Sequence, residues 1–198
     1  MTGGGGGRRH EQRGGSVDPH PLPSGRRRQV AVIGPSGAEL GSETAVLGEE
    51  VGKLLAEAGV TLVCGGMRGV MEAACRGAKE GGGEAIGIVP GHEIGEANEF
   101  CTHVVATGIG HARNLAVVSS GEVVIAIGGE WGTLSEIGFA RAIGRSVVAL
   151  RSWELSGRER MVDAPGVTPA GSAGEAVDLA LAVLWSVSRA ASTSPPSR

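Results

Sequence analysis

The sequence predicts a single α/β domain, doubly wound, with a mostly parallel sheet of six to seven strands and helices on both faces. Two observations carry that expectation. Short, nearly all-apolar runs alternate with stretches of helical spacing, and a strand that is apolar on both sides needs cover on both faces, as in a parallel sheet between helices. Glycine is the second: 36 of the 198 residues are Gly, against a usual share of roughly 7%. Most copies beyond the N-terminal segment follow an apolar run, where turns belong.

The pattern begins after a Gly/Arg-rich tail, residues 1–28, which holds Gly3 to Gly7, six Arg, Glu11 and Asp18, and no apolar stretch. It reads as disordered, and as neither a secretory signal nor a membrane anchor. A first strand over residues 30–33 runs into the turn Gly34-Pro35-Ser36-Gly37, and residues 44–58 place Ala45, Leu47, Val51, Leu54 and Leu55 on or near one helix face. Residues 61–64 make a second strand that ends in Gly65-Gly66, residues 70–80 a helix, and residues 85–89 a third strand closed by Pro90-Gly91. The polar stretch 92–100 fits neither period. Residues 103–106 read as strand four and 112–120 as its helix, then 123–127 as strand five, 133–143 as a helix and 147–150 as strand six. Residues 153–169 read as irregular, with room for a short edge strand. The last helix opens at Ser172-Ala173-Gly174-Glu175, a capping-box spacing. The domain therefore spans 29–190, and 191–198 form a flexible C-terminal tail.

Composition removes several function classes. Residues 1–28 carry six Arg against two acids, a local +4, so the remainder, with twelve Lys and Arg against nineteen Asp and Glu, carries −7. An acidic body offers no broad footprint for nucleic acid, and at 3% aromatics with no Tyr the chain has no stacking platform for single strands. No uninterrupted apolar run approaches the roughly 20 residues that span a bilayer. Cys64, Cys75 and Cys101 are odd in number and lack C-x-x-C spacing, which suits a reducing, cytoplasmic setting. No metal site is expected: His92-Glu93-Ile94-Gly95-Glu96 begins like H-E-x-x-H but ends in Glu, and Cys101 with His103 is a lone pair.

In a doubly wound sheet the ligand sits outside the carboxyl ends of the strands where their order reverses, commonly between the first and fourth strands. That gathers residues 34–37, 107–113 and 128–136 around one crevice. Within it, Gly128-Gly129-Glu130-Trp131-Gly132-Thr133-Leu134-Ser135-Glu136 joins a buried strand to a helix. Glycines there admit close backbone approach, and the free N–H groups of the first turn face the occupant, most often a phosphate. A nicotinamide dinucleotide fits poorly, because Gly34-Pro35-Ser36-Gly37 is not G-x-G-x-x-G and strand two ends without an acid for the ribose. A triphosphate lacks the Walker lysine and a magnesium-holding Asp, and pyridoxal chemistry lacks a lysine, since Lys53 and Lys79 lie on helices past the strand ends. Arg113 remains as a phosphate clamp, or else a surface arginine paired with a carboxylate. Glu136 remains too, although Thr133-x-x-Glu136 is itself a capping-box spacing. Ser36, Arg68 and His111 are further candidates that turn or capping roles would equally explain.

Three stretches in order, Gly65-Gly66-Met67-Arg68-Gly69-Val70-Met71-Glu72, Gly110-His111-Ala112-Arg113-Asn114 and Gly129 to Glu136, resemble the Lonely Guy superfamily of Rossmann-like proteins over residues 29–150. The resemblance implies a phosphoribohydrolase that cleaves the N-glycosidic bond of nucleoside 5′-monophosphates such as cytokinin ribosides, or a non-catalytic carrier of the molybdenum cofactor. It further implies that Gly129, Gly132 and Thr133 hold phosphate, that Arg113 and Glu136 are the catalytic pair of the hydrolases, and that the protein is a homodimer or homotetramer. Ser36, Gly37, Gly66, Arg68, Asn114 and Glu130 complete the expected ligand-binding set. The hydrolase motif is P-G-G-x-G-T-x-x-E, whereas this chain has Gly128 for the Pro, Glu130 for the second Gly, and Asn114 where Lys commonly follows the Arg. Those departures resemble the carrier-like branch, with a nucleotide-like or pterin ligand, the molybdenum cofactor as possible cargo and no cofactor required.

Overall fold

A computed structural model describes residues 25–153 and 166–192. Seven strands form one sheet: β1 (Gln29–Ile33), β2 (Thr61–Cys64), β3 (Ala85–Val89), β4 (His103–Ala106), β5 (Val123–Ile127), β6 (Ser146–Leu150) and β7 (Val167–Ala170). Five helices connect and cover them: α1 (Glu43–Glu57), α2 (Val70–Glu80), α3 (Arg113–Ser120), α4 (Trp131–Ala142) and α5 (Ala173–Ser192). All neighbouring strands are parallel, in the order β4-β3-β2-β1-β5-β6-β7. The fold is thus the doubly wound α/β sheet that the alternation of apolar runs predicts.

The place of strand-order reversal differs from expectation. It lies between β1 and β5, not between the first and fourth strands, because β4 adds to the outer edge of β3. The connection from β4 must then cross back over the sheet to reach β5, and α3 is the crossing element. It packs on β1, β2 and β3. The polar stretch after β3 contains only a turn of 3-10 helix at Ile94–Glu96, tied by Asn98 to the end of β2. The short edge strand expected within 153–169 is β7, whereas residues 154–165 lie outside the described residues. Helix α5 continues to Ser192, and the remainder of the C-terminal segment, like residues 1–24, is also outside them.

Two apolar layers form on the two faces. On one, α1, α2 and α5 cover a cluster that includes Val30, Val32, Leu55, Leu62, Ile125 and Leu184; on the other, α3 and α4 cover Ala31, Ile33, Val63, Val117, Val124 and Ile137. The side chains of each strand alternate between the layers, so both sets are needed to bury it. The last helix is capped as its spacing predicts, with a small change of partner. The Glu175 N–H donates to Ser172 Oγ at 3.2 Å, while the Glu175 carboxylate accepts from Gly171 N–H at 2.8 Å.

Helices α1 and α2 meet almost backbone to backbone. A Cβ on Gly52 would stand 2.0 Å from the Ala74 carbonyl oxygen, and one on Gly77 only 1.9 Å from that of Glu49. This approach fixes where α2 begins, hence where Gly65 to Gly69 lie at the sheet's carboxyl edge. Gly138, inside α4, faces open space instead. Gly52→Ala is therefore expected to lower unfolding free energy by about 1–3 kcal/mol through overpacking. Gly138→Ala is expected to raise it by about 0.5–1 kcal/mol by helix propensity. Urea denaturation of the two variants checks the contrast, and equal signs would remove the packing argument.

Candidate functional site

The carboxyl ends of β2, β1 and β5 lie side by side, and the site is built on them. After β5 the chain turns at Gly128, whose φ of 66° belongs to the left-handed region. A proline, held near φ of about −65°, has no access to that conformation. Helix α4 then starts at Trp131, two residues before the expected start, with Glu130 as its N-cap. The Thr133 to Glu136 capping box does not form, because both residues lie inside the helix. The Glu130 side chain makes no cap bond either. The first helical hydrogen bond runs from Leu134 N–H to the Glu130 carbonyl at 2.9 Å. The amides of Trp131, Gly132 and Thr133 therefore have no acceptor within the helix, at the positive end of its dipole.

Arg113 arrives from the other side of the crossing. A 3-10 turn at Gly110–Ala112 leads into α3, of which Arg113 is the first residue, and the crossover sets it over the end of β2. Its guanidinium rests on bare backbone: a Cβ at Gly65 would lie 2.5 Å from Nη1 and 2.6 Å from Nη2. Nη1 faces Glu136 Oε1 at 3.8 Å, an ion pair too long for a hydrogen bond. Both residues are buried, at 8% and 7% exposure, and Arg113 Nε is buried without a hydrogen-bond partner. Burial lifts the Glu136 carboxyl to about 7, opposed by the Arg113 charge. Burial also lowers Arg113, opposed by Glu136, from so high a starting value that it stays charged.

The remaining expected residues divide. Thr133 is buried in the first turn of α4 beside the free amides, Gly129 and Gly132 are exposed at its mouth, and Gly66 is buried at the end of β2. Glu130 is exposed, and its Oε1 lies 3.6 Å from where a Cβ on Gly37 would stand, so the β1 and β5 turns face each other. Ser36, Arg68 and His111 are exposed and Asn114 is half-buried. Among the described residues, no hydrogen bond or ion pair joins these four to Arg113 or Glu136.

Two features lay beyond sequence reasoning. Trp131, 78% exposed, stands 5.5 Å from Trp153, ring centroid to centroid, and Trp153 Nε1 donates to the Glu130 carbonyl at 3.4 Å. An aromatic inside the glycine turn was the available signal, but its partner lies 22 positions away along the chain. The other is a cluster of Cys64, Cys75 and Cys101, whose sulfurs all lie within 4.8 Å of one another. They come from β2, α2 and the loop before β4, so their spacing carries no motif.

The chain belongs to the SLOG cluster4 family, whose model matches residues 27–176. An uncharacterized protein of Archaeoglobus fulgidus is 42% identical over 123 residues, 62% of this chain and 80% of its own length. A probable cytokinin riboside 5′-monophosphate phosphoribohydrolase of Oryza sativa is 31% identical over 115 residues, and the match spans 47% of that protein. Among solved structures, the molybdenum cofactor binding protein of Rippkaea orientalis shares 32% identity at a TM-score of 0.74, over 81% of this chain and 99% of that one. The molybdenum cofactor carrier protein of Chlamydomonas reinhardtii shares 32% at 0.72, with the same coverage. The resemblance read from the three glycine motifs thus holds, and the Rossmann-like fold with it.

Glu136 supplies a pH test. Its carboxyl titrates higher folded than unfolded, so its contribution is most favourable below about 4.5 and is lost as pH rises through about 7. Glu136→Gln removes that loss. The variant is expected to match the parent near pH 4 and to exceed it by up to about 3 kcal/mol at pH 8. Denaturant titrations across that range would show the gap widening; a gap that stays flat would mean that Glu136 ionises normally.

Proposed function

We propose that the crevice binds a phosphate-bearing ligand, nucleotide-like or pterin, and that the protein works as a carrier of the molybdenum-cofactor type. The phosphate would sit on the free amides of Trp131, Gly132 and Thr133, with Arg113 as its charged neighbour. Arg113 Nε is buried without a partner, and a ligand oxygen reaching it would satisfy the group. Trp131 and Trp153 form a platform at the mouth on which a flat ring system could lie. The observation that carries the carrier reading is the φ of 66° at Gly128. The hydrolase motif places a proline there, so this turn presents its amides along a different path from a P-G-G turn.

A second reading is favoured by one specific observation. Glu136 is a buried carboxylate poised at about 7 beside an arginine, which suits a group that trades a proton near neutrality. In a nucleoside 5′-monophosphate phosphoribohydrolase it would face C1′ of the ribose and orient water, or steady developing positive charge there. The similarity to the rice protein supports this reading.

Incubation with a panel of nucleoside 5′-monophosphates separates the two. The expected result is that phosphorylated ligands quench tryptophan fluorescence without release of ribose 5-phosphate. Release that vanishes in Glu136→Ala would establish the hydrolase and overturn the carrier. In either case Glu130→Gln is expected to tighten binding of inorganic phosphate or AMP about two- to fivefold. The gain should be larger at low salt, because Glu130 is an exposed like charge beside the anion.

The protein is further proposed to be a homodimer or homotetramer joined through α3 and α4. Leu115 on α3, Phe139 on α4 and Ile143 at the C-cap of α4 stand 41–43% exposed, and the two helices pack against each other. Light scattering is expected to give a multiple of the 19.9 kDa chain mass, and Phe139→Glu to return it to the single-chain value. A monomeric parent would remove the assembly.

A further inference from the structure

The thiols of Cys64, Cys75 and Cys101 lie behind the crevice, on the α1–α2 side of β2, and take no part in the reading above. Cys64 Sγ is 3.3 Å from Cys75 Sγ, and Cys75 Sγ is 3.6 Å from Cys101 Sγ. Ligands at about 2.3 Å around one trigonal centre stand about 4 Å apart. The three sulfurs, all mutually within 4.8 Å, already match that triangle. Each is anchored independently. Cys64 ends β2 and accepts the Gly66 N–H at 3.3 Å, Cys75 lies in the middle of α2, and the Cys101 loop is pinned where Asn98 Nδ2 donates to the carbonyls of Gly66 and Met67 at 3.0 and 2.9 Å.

We propose that Cys64, Cys75 and Cys101 form a three-sulfur binding site for a soft monovalent cation of the Cu(I) type. The donor set decides the metal class. Sulfur-only ligation selects soft ions, and Zn(II) in structural sites takes four ligands. Among the described residues no fourth Cys, His, Asp or Glu joins the group. Cu(I) accepts three. Binding forms three Cu–S bonds while the thiol protons pass to solvent, and the copper keeps its oxidation state. Three thiolates around one Cu(I) leave a net charge of −2, part of which the Arg113 guanidinium over Gly65, the residue after Cys64, offsets while solvent reaches the rest at Cys101.

Access and purpose follow from burial. Cys64 and Cys75 are fully buried, but Cys101 is half-buried and opens the site to solvent. Ordinary core packing would explain two buried cysteines as small apolar residues. The third, on the loop before β4, packs against the edge of that core with its thiol toward the other two, so three soft donors converge on one point. A bound ion would cross-link β2, α2 and that loop, and so stiffen the carboxyl end of β2 on which Arg113 rests.

The test uses the full chain, reduced and kept anaerobic, titrated with Cu(I) against bicinchoninate as competing chelator. The chain is expected to retain about one equivalent and to develop thiolate-to-copper absorption in the near ultraviolet, and to hold Zn(II) about tenfold or more weaker. Cys101→Ser, at the half-buried position, is expected to weaken retention about tenfold or more, and Cys75→Ala to abolish it. X-ray absorption of the loaded protein should find three sulfur neighbours. A parent that loses copper to the chelator, variants that hold it as well as the parent, or nitrogen ligands in the spectrum would each overturn the site. If Cys75→Ala does not fold, Cys101→Ser and the spectrum still decide.

Discussion

The Arg113 guanidinium lies against the backbone at Gly65, where a methyl group would stand 2.5 Å from Nη1, and the rest of the site is arranged around that contact. Placing a charged group there takes three things at once. The end of β2 must carry no side chain, α3 must cross the sheet far enough to bring its first residue over β2, and a carboxylate must face the charge from α4. The topology supplies the second: with β4 at the outer edge and β5 beside β1, the intervening helix has to travel across β3, β2 and β1. Gly65 itself supplies the first, and the glycine contact between α1 and α2 sets the height at which α2 starts and hence the path of Gly65 to Gly69.

The pair this produces is loose. At 3.8 Å, with Arg113 Nε unpartnered and both side chains buried, the attraction does not fully offset the removal of two charges from water. The carboxyl responds by rising to about 7, so near neutrality it is divided between its two forms. A tight bidentate ion pair would have held Glu136 ionised and Arg113 occupied. The arrangement found keeps both groups available to a third partner, and in the proposed function that partner is an anion at the start of α4.

Much of this was legible in the residues. Strand ends at Cys64, Val89, Ala106 and Ile127 follow from where apolar runs meet glycine or a polar turn, and α2 falls within the residues its period gives. Arg113, Thr133 and Glu136 could be nominated because a turn motif marks where they enter the chain. What the sequence could not carry was order in the sheet. Neighbour choice between β1 and β5 depends on how the whole set packs, and local period is silent on it. The start of α4 lies two residues before the one its period gives for a related reason: Trp131 and Gly132 are weak helix formers, yet both are helical, with Thr133 and Glu136 buried in the turns that follow. The three cysteines were invisible as a group because β2, α2 and a loop bring them together only after the chain has folded.

Glu130 and Gly128 bear differently on carriage and catalysis. The Glu130 carboxylate is exposed at the mouth, where water and salt screen it. On the proposed reading it would therefore weaken an anion at the amides less than the buried Arg113 would favour one. Gly128 acts through geometry instead. A hydrolase must hold C1′ and the attacking water in line with its carboxylate to within a fraction of an ångström, because that alignment is itself a large share of the rate. In the proposed site, a turn that bends through φ of 66° would offer its amides to a phosphate along a path no proline turn can share. A carrier only has to hold its ligand, and tolerates that shift. On the proposed reading these two residues would weaken affinity only modestly while bearing hardest on the step that requires alignment.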